Sequence, residues 1–309
     1  MLIDIDSMNF REAVFLSENA YHNNQLNEYE FNNLIWYYAA ICYEISNSEN
    51  IEYTEKDKNI ALSQCAVFMF MTDSLPMIKD DEIFIHPPFT YNQEDFAGQQ
   101  DWSNTFVSTL MQAKKGNCHS LPYLYKIIMN ELGYDSHLAL APNHIYIKAQ
   151  NKKVGWYNIE LTCGDFPTDA WLMASGYIHL DAIRNGIYMR ALSEKESVAM
   201  TLVDLAQGYQ AKFGIGDGSF MLMCCETSLK HFPNYINALL LKTEVLTALY
   251  KQASEAEQKD KFLTQMNETA TLIHELGYRK MPSKMYSKWL GSLKGENSNQ
   301  RMKAVIRKN

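Results

Sequence analysis

Hydrophobic positions in the first hundred residues recur at helical spacing. Apolar residues stand three and four apart in EYEFNNLIWYYAAICYEIS (28–46), and EKDKNIALSQCAVFMFM (55–71) begins charged and ends apolar, so both are predicted helices. A third helix is expected in the same region. PMIKDDEIFIHPPFTYNQEDFAGQQ (76–100) contains three prolines and mixed polarity, which predicts an extended surface segment. Helical spacing returns in WSNTFVSTLMQAKKG (102–116) and is expected to stop at Gly116.

The period changes in the middle of the chain. CHSLPYLYKIIMNELG (118–133) predicts a helix that ends at Gly133, and three short runs rich in Ile, Leu, Tyr and Val follow it. These runs are SHLALAP, HIYIKAQ and GWYNIELT, and NKKVG between the last two is typical of a turn. We therefore expect one helix followed by a three-stranded antiparallel meander.

From Leu192 onward the hydrophobic period is helical again. SEKE (193–196) matches the S-x-x-E capping box and begins the first of four predicted helices. SLKHFPNYINALLLK (228–242) resembles the tetratricopeptide pattern, in which a helix ends near a proline and small and apolar residues begin the next. The resemblance is partial, because Pro233 and Pro282 are 49 residues apart rather than about 34.

These patterns predict an α+β fold in three consecutive regions. Residues 1–100 would form a helical N-terminal region. Residues 101–190 would form a core in which a helix packs on a small antiparallel sheet, and residues 191–309 an α-helical tetratricopeptide-like region. A chain of 309 residues is long enough for separate cores of this kind.

Composition and charge narrow the classes of protein to consider. With 47% hydrophobic and 21% charged residues the chain has the composition of a soluble globular protein. A net charge of -8 leaves no basic footprint, so neither nucleic acid nor an anionic membrane surface is an expected partner. No apolar run approaches the roughly 18 residues of a membrane span. The first residues lack a signal-peptide pattern, which favours the cytoplasm; export with a removed leader is the alternative.

Cysteine spacing argues against a metal site. The six cysteines include no C-x-x-C pair, so no zinc site is expected, and no cofactor is predicted either. Cys118 differs from the others, because it lies where KKGN gives way to a predicted helix. A helix N-terminus stabilises a thiolate, which is the nucleophilic form of cysteine. Cys118 is therefore a candidate nucleophile.

A cysteine nucleophile needs a base, and the base needs an orienting partner. His119 is a poor base for its neighbour, because consecutive side chains on a helix diverge. His144 begins the second predicted strand, and closure of the hairpin around 151–153 would place Glu160 directly opposite it, with partner numbers that add to about 304. Asn158 lies on the same face and is the alternative orienting residue.

These residues resemble the transglutaminase-like superfamily, the papain-related group with a Cys-His-Asp triad. The match covers about residues 102–163: GNC at a helix start, a histidine that begins a strand, and WYNIELT (156–162) where the family carries W-x-x-(apolar)-D-x-T. The resemblance implies that Cys118 is the nucleophile and His144 the base, with Glu160 in the aspartate position. The whole chain is similar to bacterial proteins of this type.

The oxyanion of such a reaction also needs hydrogen-bond donors. The Cys118 N–H at the helix start is the first candidate. Gln112 is a weak second one, because it lies six residues before Cys118, the spacing of the oxyanion glutamine in papain-like proteases. Trp102 and Gln100 are weaker candidates for the wall of the cleft.

The resemblance implies a cysteine peptidase or amide hydrolase acting on a peptide or protein through a Cys-His-Glu triad. With an amine instead of water as the acceptor, the same chemistry would be that of an acyltransferase. The alternative is a catalytically silent transglutaminase-like scaffold joined to a tetratricopeptide-like module that binds a protein partner.

Overall fold

The computed structural model describes residues 9–48, 53–79, 82–282 and 285, and it is an α+β architecture. The helices are α1 (Phe10–Tyr21), α2 (Glu28–Asn47), α3 (Lys58–Thr72), α4 (Val107–Ala113), α5 (Ser120–Glu131), α6 (Asp169–Ser175), α7 (Leu180–Arg184), α8 (Glu194–Phe213), α9 (Ser219–His231), α10 (Ile236–Gln252) and α11 (Ala256–Glu275). The strands are β1 (Leu75–Lys79), β2 (Glu82–His86), β3 (Thr90–Tyr91), β4 (Lys115–Gly116), β5 (His137–Ala141), β6 (His144–Asn151) and β7 (Gly155–Ile159).

The described chain forms two compact units. One, the helical unit, contains residues 9–26 and 177–280, and the other, the sheet unit, contains residues 27–176 and the described residues after 280. This grouping differs from the three consecutive regions expected from the pattern, and those regional boundaries stay a prediction. None of the described helices combines the length and the apolar character needed to cross a bilayer.

The helical unit is built from helices that pack on their neighbours in the chain. α8 packs on α9, α9 on α10 and α10 on α11, while α1 packs against α8. The predicted capping box is confirmed, because the Ser193 side chain accepts from the Glu196 N–H and the Glu196 carboxylate accepts from the Ser193 N–H. The last of the four predicted helices spans Ala256–Glu275 and includes most of the charged stretch ASEAEQKDK (253–261).

The core of the sheet unit lies between α5 and one face of the sheet β5-β6-β7. The meander and its antiparallel order are confirmed. One sheet face carries Leu138, Ile147 and Ile159, all fully or almost fully buried, and α5 packs on the sheet as the core helix. The opposite face carries polar side chains, and it is on this face that the candidate site forms.

The register of the β6-β7 hairpin differs from the expected one by two residues. Lys148 pairs with Asn158, so partner numbers add to 306 rather than 304. The cause is the turn, whose three residues are 152–154, one position later than expected; the Asn151 side chain holds it by accepting from the N–H groups of Lys153 and Val154. A shift of two residues leaves every side chain on its predicted face.

Two further expectations are corrected. Much of segment 76–100 is regular: β1 and β2 form an antiparallel hairpin, and β3 pairs in parallel with β4. The helix expected to reach Gly116 ends at Ala113, because Lys114 adopts the left-handed conformation, with φ of 55°. The Lys114 ammonium lies over the rings of Tyr38 and Phe89, at 4.3 and 4.2 Å from their centroids, which stabilises this turn.

Candidate active site

Cys118 lies in the turn that begins α5. The Asn117 side chain caps this turn, because its Oδ1 accepts from the N–H groups of His119 and Ser120, both at 3.0 Å. The Asn117 N–H donates in return to the Ser120 hydroxyl at 3.1 Å. Within the described chain, no hydrogen bond takes up the Cys118 N–H itself. An N–H of this kind at a helix start can donate to a negatively charged group.

The segment before Cys118 is tied closely to its surroundings. A Cβ at Gly116 would come within 2.5 Å of the Ser120 hydroxyl and 2.7 Å of a Leu110 methyl, so glycine is needed there for close packing. The Gly116 carbonyl accepts from the Asn92 N–H, and the Asn117 side-chain amide donates to the Phe96 carbonyl at 2.8 Å. Loop 92–101 thus forms a fixed neighbour of the segment that carries Cys118.

His144 reaches the site through the tight turn between β5 and β6. Ala141 pairs with His144, so the turn consists of Pro142 and Asn143 alone. Asn143 has φ of 56°, in the left-handed region, and its carbonyl lies 3.9 Å from the Cys118 sulfur. The turn therefore brings the first residue of β6 next to the start of α5.

Glu160 follows directly after β7, and its carboxylate is held at both oxygens. Oε2 accepts from His144 Nε2 in a short hydrogen bond. Oε1 accepts from the Thr162 N–H at 3.0 Å and from the Thr162 hydroxyl at 2.6 Å. The Glu160 backbone makes two hydrogen bonds with Asp165, at 2.8 and 3.0 Å, which close the loop between them. The side chains of His144 and Glu160 are only 1% and 2% exposed.

The structure brings Cys118, His144 and Glu160 together. The Cys118 side chain lies near enough to the His144 imidazole to raise the pKa of that ring. Because Nε2 of this ring is engaged with Glu160, Nδ1 is the nitrogen that remains for Cys118. The ladder register would set Glu160 opposite Tyr146 rather than His144, so Glu160 reaches the imidazole diagonally across the sheet.

The electrostatics of the pair favour its ionised form. Burial opposes the charged imidazole, but the Glu160 charge and the hydrogen bonds with Cys118 and Glu160 outweigh burial and raise the pKa of His144. Burial also opposes the charged carboxylate, but His144 and the two Thr162 donors hold the pKa of Glu160 below its usual range.

Asn158 makes its side-chain hydrogen bonds away from the imidazole, and the role predicted for Gln112 stays a prediction. Asn158 Nδ2 donates to the Asp169 carboxylate at 2.8 Å and to the Pro167 carbonyl at 2.9 Å, so it fixes the chain before α6. Gln112 lies on α4 with an exposed side chain. Of the two predicted orienting residues, the structure places Glu160 on the imidazole.

The remaining predicted residues all contact segment 92–106. His119 Nδ1 lies 3.0 Å from the Thr105 carbonyl and its ring packs on Tyr123, so it turns away from a catalytic role. Trp102 lies in a short 3-10 helix, Trp102–Thr105, and packs against Gly98 of the neighbouring loop. The Gln100 N–H donates to the buried Asp95 carboxylate, which organises that loop.

Sequence reasoning missed three residues that hold the site together. Asn117 had a signal, because an asparagine before an apolar helical run is a typical helix cap. Asn143 also had one, because Pro-Asn between two strand-like runs indicates a turn that tolerates the left-handed conformation. Thr162 had one as well, because it stands at the threonine of the pattern W-x-x-(apolar)-D-x-T, but its contact with Glu160 depends on the loop that Asp165 closes. In the part of the chain that the structure describes, no three His, Cys, Asp or Glu side chains are grouped to hold a metal ion.

Comparisons with known proteins do not indicate a function for this chain, so a functional proposal depends on the geometry of the site. No family model matches the chain, and no curated protein matches it. It is similar to a solved structure described as "Crystal structure of menin reveals the binding site for Mixed Lineage Leukemia (MLL) protein", with a TM-score of 0.32 and 11% identity over 97% of this chain and 86% of that one. A similarity at this level carries no argument about fold or function.

Proposed function

We propose that this protein is a transglutaminase-like cysteine hydrolase that cleaves an amide bond of a peptide or protein. One observation carries the proposal: the buried Glu160 carboxylate holds the His144 imidazole by a hydrogen bond, beside the Cys118 thiol at a helix N-terminus. Three elements far apart in the sequence converge to make it. This is the arrangement of nucleophile, base and orienting group that acyl transfer through a thiol requires.

In the proposed mechanism each of the three groups has its own step. The Cys118 thiolate attacks the carbonyl carbon, and the Cys118 N–H stabilises the oxyanion that forms. The His144 Nδ1–H then gives its proton to the leaving amine as the C–N bond breaks, which leaves a thioester on Cys118. Water adds to the thioester while His144 takes one of its protons, and the acid leaves as the thiolate returns. Glu160 keeps the imidazole oriented through both steps, and it stabilises the charged ring before the amine leaves and again after water has given up its proton.

Water is the acceptor in this proposal, and an amine in its place would make a cross-linked product. The two outcomes share the thioester and differ only in the second step. A peptide substrate incubated with a primary amine, followed by mass spectrometry of the products, distinguishes them. Hydrolysis predicts the free acid as the main product even when the amine is present.

Alkylation kinetics test the site without knowledge of the substrate. We expect iodoacetamide to modify Cys118 first, at a rate that stays high down to mildly acidic pH and falls at least tenfold in His144→Ala. Cys163 is the matched internal control, because it is also partly exposed. Peptide mapping by mass spectrometry assigns the rate at each cysteine.

A peptide library then tests catalysis directly. Cleavage by the wild-type chain that disappears in Cys118→Ala and in His144→Ala is the expected result. If Cys118 reacts no faster than Cys163 and no amide is cleaved, the site is silent. The protein would then be a scaffold whose helical unit binds a partner.

A further inference from the structure

Helix α2 presents two kinds of residue in parallel rows on its exposed side. Its buried side packs on α3 and α5 in the sheet unit. On the other side Tyr29, Tyr43 and Tyr37 are 72%, 57% and 47% exposed, and Trp36 is 46% exposed. Four large aromatic side chains on one helix surface make a sizeable apolar patch, which on a folded protein indicates an interaction site.

The rows follow from the seven-residue spacing, since each residue of an α-helix turns about 100° and rises about 1.5 Å. An aromatic row contains Tyr29, Trp36 and Tyr43; an acidic row contains Glu30, Tyr37 and Glu44; and a row of small side chains contains Asn33, Ala40 and Asn47. At 100° a residue the small row falls between the other two, so the surface is a shallow groove. We call it the α2 groove.

The side chains along the α2 groove are arranged symmetrically about its middle. At one end Tyr29 stands opposite Glu30, and at the other end Tyr43 stands opposite Glu44, about 21 Å away. A cation that entered either end would touch a ring face on one wall and a carboxylate on the other. Trp36 and Tyr37 form the middle, where the contact surface is aromatic on both walls.

Glu44 has no evident role in stabilising the helix. An acidic residue near the last turn lies at the negative end of the helix dipole, and α2 has no basic residue in that turn. By contrast, Glu28 and Glu30 in the first turn are favourable to the helix. A residue that opposes local helix stability while completing a surface pattern is typical of a binding site.

We propose that the α2 groove binds a helix of another protein that carries an arginine or lysine seven residues before and seven residues after a central aliphatic residue. The two cations would meet the Tyr29–Glu30 and Tyr43–Glu44 ends, and the aliphatic residue would lie between Trp36 and Tyr37. A second copy of this chain fits poorly, because α2 carries three glutamates and no lysine or arginine, so two copies would oppose like charges.

A synthetic helix provides the probe. It has 21 residues of alanine and glutamine, with arginine at positions 4 and 18 and leucine at position 11, and a fluorescent label. A matched probe carries glutamate in place of both arginines. Fluorescence anisotropy with the full-length chain is expected to show saturable binding of the arginine probe, at least tenfold tighter than the glutamate probe, and weaker at higher salt.

Charge reversal in the groove gives the sharpest result. Glu30→Lys with Glu44→Lys should weaken the arginine probe at least tenfold and create binding of the glutamate probe. Tyr29→Ser with Tyr43→Ser should weaken the arginine probe and create no binding of the glutamate probe. The control, Glu268→Lys with Glu275→Lys, reverses two exposed acidic residues of α11 and should leave both affinities unchanged.

Several results would overturn the proposal. They are equal affinity for the two probes, equal loss in the control, and a wild-type dimer in sedimentation that dissociates in the tyrosine variant. The chain's own residues 286–309 carry six lysines and arginines, so a further full-length variant replaces these with serine. Tenfold tighter binding of the arginine probe to that variant would assign the groove to this segment instead.

Discussion

Glu160 is one methylene longer than the aspartate of the family that the sequence resembles. In the structure this extra length lets the carboxylate reach His144. The carboxylate accepts from His144 with one oxygen and from both Thr162 donors with the other. Glu160 stands two register positions from the residue directly opposite His144, so the extra reach closes a diagonal gap. At this position the longer acid is suited to the backbone around it.

Shortening this side chain should therefore impair the site. Glu160→Asp is expected to reduce the rate of Cys118 alkylation and of amide cleavage by about 100-fold, because a displacement of about 1 Å is costly in a catalytic hydrogen-bonded chain. Glu160→Gln should cost at least as much. Circular dichroism checks that both variants fold. An aspartate variant as fast as the wild type would contradict the role given to the longer side chain.

The His144–Glu160 pair should make the free energy of unfolding depend on pH. The direction of each pKa shift gives the sign of that residue's contribution. The pKa of Glu160 is lowered, so its contribution is present above the usual carboxyl range and is lost as the pH falls through the lowered value. The pKa of His144 is raised, so its contribution is present below about pH 6.5 and is lost as the pH rises through the raised value.

The difference in unfolding free energy between the wild type and the double variant His144→Gln, Glu160→Gln is therefore expected to peak between about pH 4.5 and 6.5. It should decline on either side of that window. Urea denaturation at a series of pH values measures it. A difference that does not change with pH would show that the two groups titrate alike in the folded and unfolded chain.

At the scale of elements, turns decide how the strands meet. The hydrophobic alternation predicted β5, β6 and β7 and the faces of their side chains, because the period of a strand is a local property. The alternation did not predict the β6-β7 register, which differs by two residues. The register is set by the turn, and the Asn151 side chain fixes the position of that turn. The residues predicted for the site still share one face of the sheet, because a shift of two positions leaves each side chain on the same side.

The β5-β6 turn offers a direct test of this dependence. Asn143 has φ of 56°, which a β-branched residue adopts only with strain, so Asn143→Val is expected to cost about 1–3 kcal/mol. Because the turn delivers His144 to Cys118, the alkylation rate should fall as well. Asn143→Gly is the control and should keep the rate. Thermal unfolding measures the loss of stability, and alkylation kinetics measure the effect on Cys118. A valine variant with wild-type alkylation kinetics would show that the conformation of this turn does not control the site.

At the scale of the whole molecule, contacts join segments that are remote in the sequence. α1 belongs to the helical unit, where Phe10 is fully buried and its N–H donates to Glu194 at 3.1 Å. Three regions in chain order were expected because periodicity describes each segment by itself. It carries no information about which distant helix covers an apolar face.

The helical unit should depend on this packing. Phe10→Ala is expected to destabilise the protein by about 3–5 kcal/mol, since it leaves a cavity in a fully buried place. Leu16→Ala in the same helix is the control and should cost less than about 1 kcal/mol, because Leu16 is 53% exposed. Urea denaturation compares the two. Equal effects would mean that α1 contributes little to the core of its unit.

The sequence by itself determined most of the longer helices, the meander, the place of Cys118 at a helix start and the faces of His144 and Glu160. These depend on local periodicity, capping and alternation, which neighbouring residues settle among themselves. Only the tertiary structure decided the two-residue register shift, the grip of Thr162 on Glu160, the approach of the Asn143 turn to Cys118 and the grouping of α1 with the C-terminal helices. Each of these is a contact between segments that no local pattern specifies, because it depends on how turns and packed faces fit in three dimensions.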